Sequence, residues 1–336
     1  MKTLLKTNTL VSIVIPAYNV GRYIEECILS VVNQTYTHIE ILVVNDGSSD
    51  NTPDVIDKLA IQDKRIVPIH QQNAGVSASR NIGIKASKGE YLIFVDGDDY
   101  IAPDFVEYML KLVKMTGGEL CLSLDSFTRT REKQVRHEVV EVLDPIKATA
   151  LLLSPRIIVG SWNKIYKKSI LLDNNLEFST TLFYGEGLFF YTTVSQLCTK
   201  VGVGNRKVYY YRRNNYDSAT TKFNIRSLIN GDLAIEEIRK NLRINSTIID
   251  RMLELHKCLF SMGAVVRIKA NCKEKEYSQE YKRFKTYLHE HAPKFIFSHD
   301  VSLYHRGLLL GTYFCPILMA WLDLLRRKRI ASVSVE

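Results

Sequence analysis

The chain has 336 residues, 46% of them apolar and 24% charged, with 17 glycines and 8 prolines. At roughly 150 residues per domain this predicts about two domains, and the composition excludes a disordered tail, a collagen-like fibre and a multi-span membrane protein. The formal charge of +9 is divided unevenly: residues 1–125 carry 11 basic against 16 acidic side chains, a net of −5, and the rest carry 34 against 20, a net of +14.

Val11–Ile15 is a short β-rich apolar run that stops at Pro16, and Ile24, Cys27, Ile28, Val31 and Val32 then recur at helical spacing. A second apolar run, Ile39–Val44, leads through a polar turn to a helix that Thr52-Pro53 opens as N-cap and first helical residue. Ile66–Ile69 predicts a third strand, and residues 77–86 predict a helix. Tyr91–Val95 predicts a fourth strand, and Pro103 opens a helix carrying Phe105, Val106, Met109, Leu110 and Val113. Strands alternating with helices mean βαβ units and a parallel, doubly wound sheet.

Beyond residue 125 the alternation breaks down. Residues 146–153 and 188–197 predict helices, Trp162–Tyr166 a strand or turn, and Val208–Arg212 another strand. Residues 225–287 are mostly helical in pattern and rich in lysine, so the chain divides into domains at 1–225 and 226–336. Gly307–Leu322 is a 16-residue stretch without charge, broken by Pro316 and followed by Arg326-Arg-Lys-Arg329. It is shorter than the roughly 20 residues that span a bilayer. An anionic membrane surface and a core helix with a solvated basic tail explain it equally well.

The unusual polar residues fall after the first four strands. Pro16-Ala-Tyr-Asn19, Asn45-Asp-Gly-Ser-Ser-Asp50, Gln71-Gln-Asn-Ala-Gly75 and Asp96-Gly-Asp-Asp99 each follow one strand. In an open parallel sheet all four lie at the carboxyl edge, where such folds bind ligands. Three carboxylates within Asp96–Asp99 repel one another unless a cation sits between them, and hard oxygen ligands suit Mg²⁺ or Mn²⁺ bridging phosphate. Taken alone that segment also reads as a turn before a helix; its three polar neighbours favour the site. Asp46, still on the strand edge, offers a carboxylate that can accept the N–H of a pyrimidine. Arg80, in the first turns of a helix, faces either a pyrophosphate or an acidic neighbour. No GxGxxG or GxxxxGK[ST] is present, which disfavours a dinucleotide fold and a P-loop.

The cysteines Cys27, Cys121, Cys198, Cys258, Cys272 and Cys315 form no CxxC pair, so neither a disulfide framework nor a zinc site is expected. The start lacks an apolar h-region, which points to a cytoplasmic protein.

Together, Val11-Ser-Ile-Val-Ile-Pro-Ala-Tyr-Asn19, Val44-Asn-Asp-Gly-Ser-Ser-Asp-Asn-Thr52, Asn73-Ala-Gly-Val-Ser-Ala-Ser-Arg-Asn81 and Phe94-Val-Asp-Gly-Asp-Asp99 resemble the motifs of family 2 glycosyltransferases in order and spacing. The likeness is close over residues 10–125 and looser to about 220. Trp162-Asn-Lys164, Tyr184-Gly-Glu186, and Tyr210-Tyr-Arg212 followed by Ser218 are similar to later landmarks of the bacterial capsule and cell-wall members. The resemblance implies a GT-A (Rossmann-like), mostly parallel α/β sheet flanked by helices, with a helical C-terminal region. It also implies an inverting transfer from a nucleotide-diphosphate sugar, UDP favoured. By the same carry-over, Pro16, Ala17 and Tyr18 line the nucleobase pocket, Asp46 holds the uracil edge and Arg80 sits near the nucleotide. Asp96 contacts the ribose, and Asp98, with Asp96, binds Mn²⁺ or Mg²⁺ on the diphosphate. Arg212 and Ser218 lie near the diphosphate, and Trp162 and Lys164 near the acceptor.

One departure concerns the base. The family commonly has Glu-Asp where this chain has Glu186-Gly187, and the missing Asp is the group that deprotonates the acceptor hydroxyl. Glu186 or Asp99 then takes that role; as a plain helix-start acid, Glu186 is otherwise explained by the dipole. The leading expectation is a transferase building capsular or cell-wall polysaccharide on a lipid-linked acceptor, peripheral on the inner face of the cell membrane, its basic half drawn to the anionic surface. The alternative is a nucleotide-sugar-binding protein with a lost or weakened base. Nucleic acid is not an expected partner, since no RNP-like or helix-turn-helix pattern accompanies the +14 half.

Overall fold

The computed structural model describes residues 8–129, 131–212, 222–298 and 301–331. The elements in chain order are β1 (Val11–Ala17), α1 (Ile24–Val32), β2 (Ile39–Asn45), α2 (Thr52–Gln62), β3 (Ile66–His70), α3 (Val76–Ala86) and β4 (Tyr91–Phe94). Then come β5 (Tyr100–Ile101), α4 (Phe105–Thr116), β6 (Leu120–Ser123), β7 (Val140–Leu143), α5 (Pro145–Leu153), β8 (Lys164–Lys167), α6 (Lys168–Asp173) and α7 (Glu186–Leu197). The chain continues through β9 (Val201–Gly204), β10 (Tyr209–Tyr210), α8 (Ile225–Lys240), α9 (Thr247–Ala270), α10 (Ser278–Ile296), α11 (Leu303–Phe314) and α12 (Pro316–Ala331).

The four predicted strands form the parallel half of one sheet, in the order β3-β2-β1-β4. The sheet then continues β8-β6-β9-β7. Here β8 runs antiparallel to both β4 and β6, β9 is parallel to β6, and β7 closes the edge antiparallel to β9. Of these four added strands only β8 had a sequence signal, in Trp162–Tyr166. The strand expected over Val208–Arg212 is reduced to Tyr209–Tyr210, which pairs with β5 in a separate ribbon. Thr52 lies inside α2 rather than capping it. Asn51 occupies the cap position, and the Asp50 carboxylate accepts from the Thr52 N–H at 3.0 Å.

Side chains alternate across the sheet, as period-2 geometry requires. Ile13 and Ile15 face a core built with α1, α2 and α4, and Val14 faces the opposite core. That second core joins Leu92 and Phe94 of β4 to Leu152 of α5, Phe190 of α7, Ile235 of α8, and Ile249 and Leu253 of α9. Helices α8 and α9 therefore share their interior with the sheet. The later part of α9 also builds two smaller clusters, one with α10 and α11 around Cys258, Leu288 and Phe295 and one with α8 and α10 around Leu228, Val265 and Phe284.

Leu253 is fully buried in the shared core. Leu253→Ala is expected to cost about 2–5 kcal/mol and to shift one transition for the whole chain in urea unfolding followed by circular dichroism and tryptophan fluorescence. A second transition that stays in place would show that the helices after 225 unfold independently.

Candidate active site

β1 ends on Ala17, whose carbonyl accepts from the Asp46 N–H at 2.8 Å, so the ends of β1 and β2 stay together. Beyond it Tyr18 is exposed, and Asn19 interlocks with the next loop: its N–H donates to Ser48 Oγ and its Oδ1 accepts from the Ser49 N–H. Pro16 and Ala17 are buried within the strand.

Asp46 is buried, and its carboxylate faces the loop before α3. Oδ1 accepts from Gln71 Nε2 (2.5 Å) and the Ala74 N–H (2.9 Å), and Oδ2 accepts from the Gly75 N–H (2.8 Å). Gly47 follows at φ +69°, and a Cβ there would lie 2.8 Å from the Asn73 nitrogen. Only glycine allows both that conformation and that approach. Asp46 thus ties the end of β2 to the Asn73–Gly75 loop.

The acidic loop sits on the other flank of β1. A Cβ on Gly97 would stand 2.9 Å from the Pro16 carbonyl oxygen, and the Cys27 thiol donates to the Asp96 carbonyl. Asp99, one of the two candidate bases, points inward and is 1% exposed. Its Oδ2 accepts from the Tyr209 hydroxyl (2.8 Å) and its Oδ1 from the Arg212 N–H (2.9 Å). Burial, then the neighbouring Asp98 and Asp96, push its carboxyl well above the usual carboxylate range. This geometry suits anchoring the loop. Arg212 braces the same loop. Its guanidinium donates to the Asp98 carbonyl at 2.8 Å, pairs with Glu26, and lies over the rings of Tyr100 and Tyr23. Trp162 is stacked between Tyr209 and Tyr211, with ring centroids at 4.5 and 5.1 Å.

Arg80 crosses the crevice floor. It is 5% exposed, and of the two fates open to it in the sequence it takes the acidic one. Nη2 donates to Asp96 Oδ1 and Nη1 to Glu186 Oε1, both at 2.9 Å. Glu186 opens α7, behind Gly185 in the left-handed region. A Cβ on Gly187 would meet nothing closer than the Ser161 nitrogen at 3.5 Å, so a side chain is sterically admissible there. Lys164 is buried behind this segment, its Nζ donating to the carbonyls of Gly160 (2.7 Å) and Trp162 (3.2 Å), 4.6 Å from the centre of the Tyr191 ring. Burial lowers its pKa to about 7, with Asp96 opposing the shift. Ser218 lies outside the described residues.

The donor set suits an open metal site better than a closed one. Among the described residues no group of three or more His, Cys, Asp or Glu is arranged to hold an ion. Asp98 is half-buried and Asp96 has one oxygen committed to Arg80. Mg²⁺ and Mn²⁺ accept such sparse protein ligation when phosphate oxygens and water complete the shell, so the residues fit.

Residues 12–173 match the profile described as glycosyl transferase family 2. The chain carries a glycosyl transferase family 2 domain. The uncharacterized glycosyltransferase EpsJ of Bacillus subtilis is 33% identical over 217 residues, spanning 61% of each chain. The chondroitin synthase of Pasteurella multocida is 44% identical over 102 residues, 30% of this chain and 11% of that protein. The chain thus spans less than two thirds of the length of these relatives. The crystal structure of Staphylococcus aureus TarS 1–349 in complex with UDP-GlcNAc superposes with a TM-score of 0.66 at 18% identity, covering 95% of this chain and 91% of that one. At that identity the likeness is one of fold, and the fold is GT-A. Sequence reasoning missed the supports of the acidic loop: Glu26, Tyr100 and Tyr209 belong to no motif. The aromatic run Tyr209–Tyr211 was the one visible signal.

Lys164 supplies a pH test. Its folded pKa of about 7 lies below its ordinary value of 10.5, so between these pH values the unfolded chain binds more protons and this group makes stability rise with pH. Lys164→Met is expected to remove that rise, flattening the stability-against-pH curve between about pH 7 and 10 in urea titrations; an unchanged slope would mean that Lys164 stays charged in the fold.

Proposed function

We propose that the chain is an inverting, metal-dependent glycosyltransferase moving a sugar from a nucleotide-diphosphate sugar, UDP favoured, to a lipid-linked saccharide in capsular or cell-wall polysaccharide synthesis, at the inner face of the cell membrane. The observation that carries this reading is Arg80, which holds Asp96 and Glu186 on one guanidinium at the carboxyl edge of the sheet. The UDP-GlcNAc complex of TarS supports the donor class, and the relation to a chondroitin synthase supports a polysaccharide product.

In this reading Tyr18 offers an exposed ring to the nucleobase, while Pro16, Ala17 and Asp46 shape its pocket through backbone and loop. Asp96 meets the ribose. A divalent ion held by Asp98, with Asp96, supplies the charge neutralisation that a departing diphosphate needs. Arg212 fixes the backbone of Asp98 at the diphosphate end. Glu186 is the base: Arg80 fixes Oε1, leaving Oε2 to take the acceptor hydroxyl's proton as that oxygen attacks the anomeric carbon from the face opposite the leaving group. Lys164 positions the acceptor wall by holding the 160–162 segment, where Trp162 is buried against Tyr209 and Tyr211.

Gly187 and the pairing of Glu186 with Arg80 support a second reading, a nucleotide-sugar-binding protein with a lost or weakened base. A screen of nucleotide sugars with Mn²⁺ or Mg²⁺, reading nucleotide release with and without membrane lipid extract, separates the two. The transferase reading expects turnover that falls at least about 100-fold in Asp98→Asn. It also expects a drop of about 10²–10⁴ in kcat for Glu186→Gln, with UDP binding by calorimetry retained. Activity confined to Gly187→Asp would establish the second reading.

A further inference from the structure

The strongest feature outside the crevice is the outer surface of α11 and α12. On α11 the exposed positions are Leu303, Tyr304, Gly307, Leu310 and Phe314; at 100° per residue they fall on one face. On α12 every exposed residue from Ile317 to Leu325 is apolar, and these also share one side of the helix. The opposite side of α12 packs on α9, with Ala320 buried and the flank at Gly311 filled by Met319. A surface helix of a water-soluble domain carries polar residues on the face that these helices leave apolar.

What the two helices lack in polarity along their length they gain at one end. Arg326, Arg327, Lys328 and Arg329 follow directly, and Lys328 and Arg329 are exposed on the same side as the apolar residues. Asp323 pairs with Arg326 at 2.8 Å and Arg327 at 2.6 Å, so α12 keeps an excess of three positive charges over its one acid. At 12 and 16 residues the helices are too short to cross a bilayer, and no helix among the described residues is long and apolar enough to do so.

We infer that α11 and α12 form an interfacial helix pair that lies in the surface of an anionic lipid bilayer, its apolar faces among the acyl chains and its basic end on the headgroups. Apolar side chains including tryptophan, bordered by lysine and arginine, are the composition that such helices need, and the negative surface potential of anionic lipid draws the basic end. A second copy of the chain is the weaker occupant, because its equivalent face is equally basic and gains nothing from the charge. The inference takes the membrane location from the proposed function and needs none of its chemistry.

The full chain, sedimented with vesicles of phosphatidylcholine containing 0–40% phosphatidylglycerol, is expected to bind increasingly as the anionic lipid rises. Trp321 is exposed whereas Trp162, the only other tryptophan, is buried, so the emission should shift to the blue as Trp321 enters lipid. Phe314→Glu with Trp321→Glu is expected to weaken vesicle binding at least tenfold, with thermal unfolding and UDP binding unchanged. Single Leu325→Glu serves as a milder variant should the pair perturb folding. Protein that stays in the supernatant at every lipid composition would overturn the inference. So would vesicle binding that these charges leave unaltered. Concentration-dependent self-association in the ultracentrifuge, abolished by the same substitutions, would give the face to a second copy instead.

Discussion

A guanidinium buried between two carboxylates organises the site. Burial alone drives the Arg80 pKa down, and Asp96 and Glu186 reverse that, raising it overall. Such a group is tolerable only while both partners remain, since a lone buried charge costs several kcal/mol. The two contacts join three separate pieces of chain: α3, the loop after β4 and the first residue of α7. The shape of the crevice and the charge of its floor are therefore set by the same interaction.

Around it the polar residues divide into those that face the crevice and those that hold them. Asp99, Tyr209 and Trp162 form a chain running inward from the acidic loop, through hydrogen bond and ring stack. Arg212 closes the loop from behind with its contacts to the Asp98 carbonyl and Glu26. Asp46 does similar work across β1, spending its carboxylate on the N–H groups of Ala74 and Gly75. The resulting rim is preorganised: its loops are tied to one another and to α3.

Much of this was legible in the sequence, and the reason is topological. In β3-β2-β1-β4 each parallel strand delivers its following loop to the same edge, so four motifs after four apolar runs had to converge. The far half of the sheet was hidden because β6, β7 and β9 are only four residues long each and β8 inserts between partners that no local period can reveal. At the level of single residues, position was easier to read than partnership. Arg80 was placed on its helix, but its acids lie 16 and 106 residues away, and spacing along a chain carries no information about the second. Asp46 could be placed at a strand end, but its partners Gln71, Ala74 and Gly75 belong to the loop after the next strand, and no local pattern names them.

The packing of the second layer has a mechanical consequence. α12 rests on α9, α9 on α5, and α5 on α7, whose first residue is Glu186. With side chains of α8 and α9 embedded beneath the sheet, the packing through this stack is continuous among the described residues. The opening of the crevice consequently keeps a fixed bearing relative to the outermost helix pair, so whatever plane that pair rests upon also sets the direction from which a bulky reactant can approach.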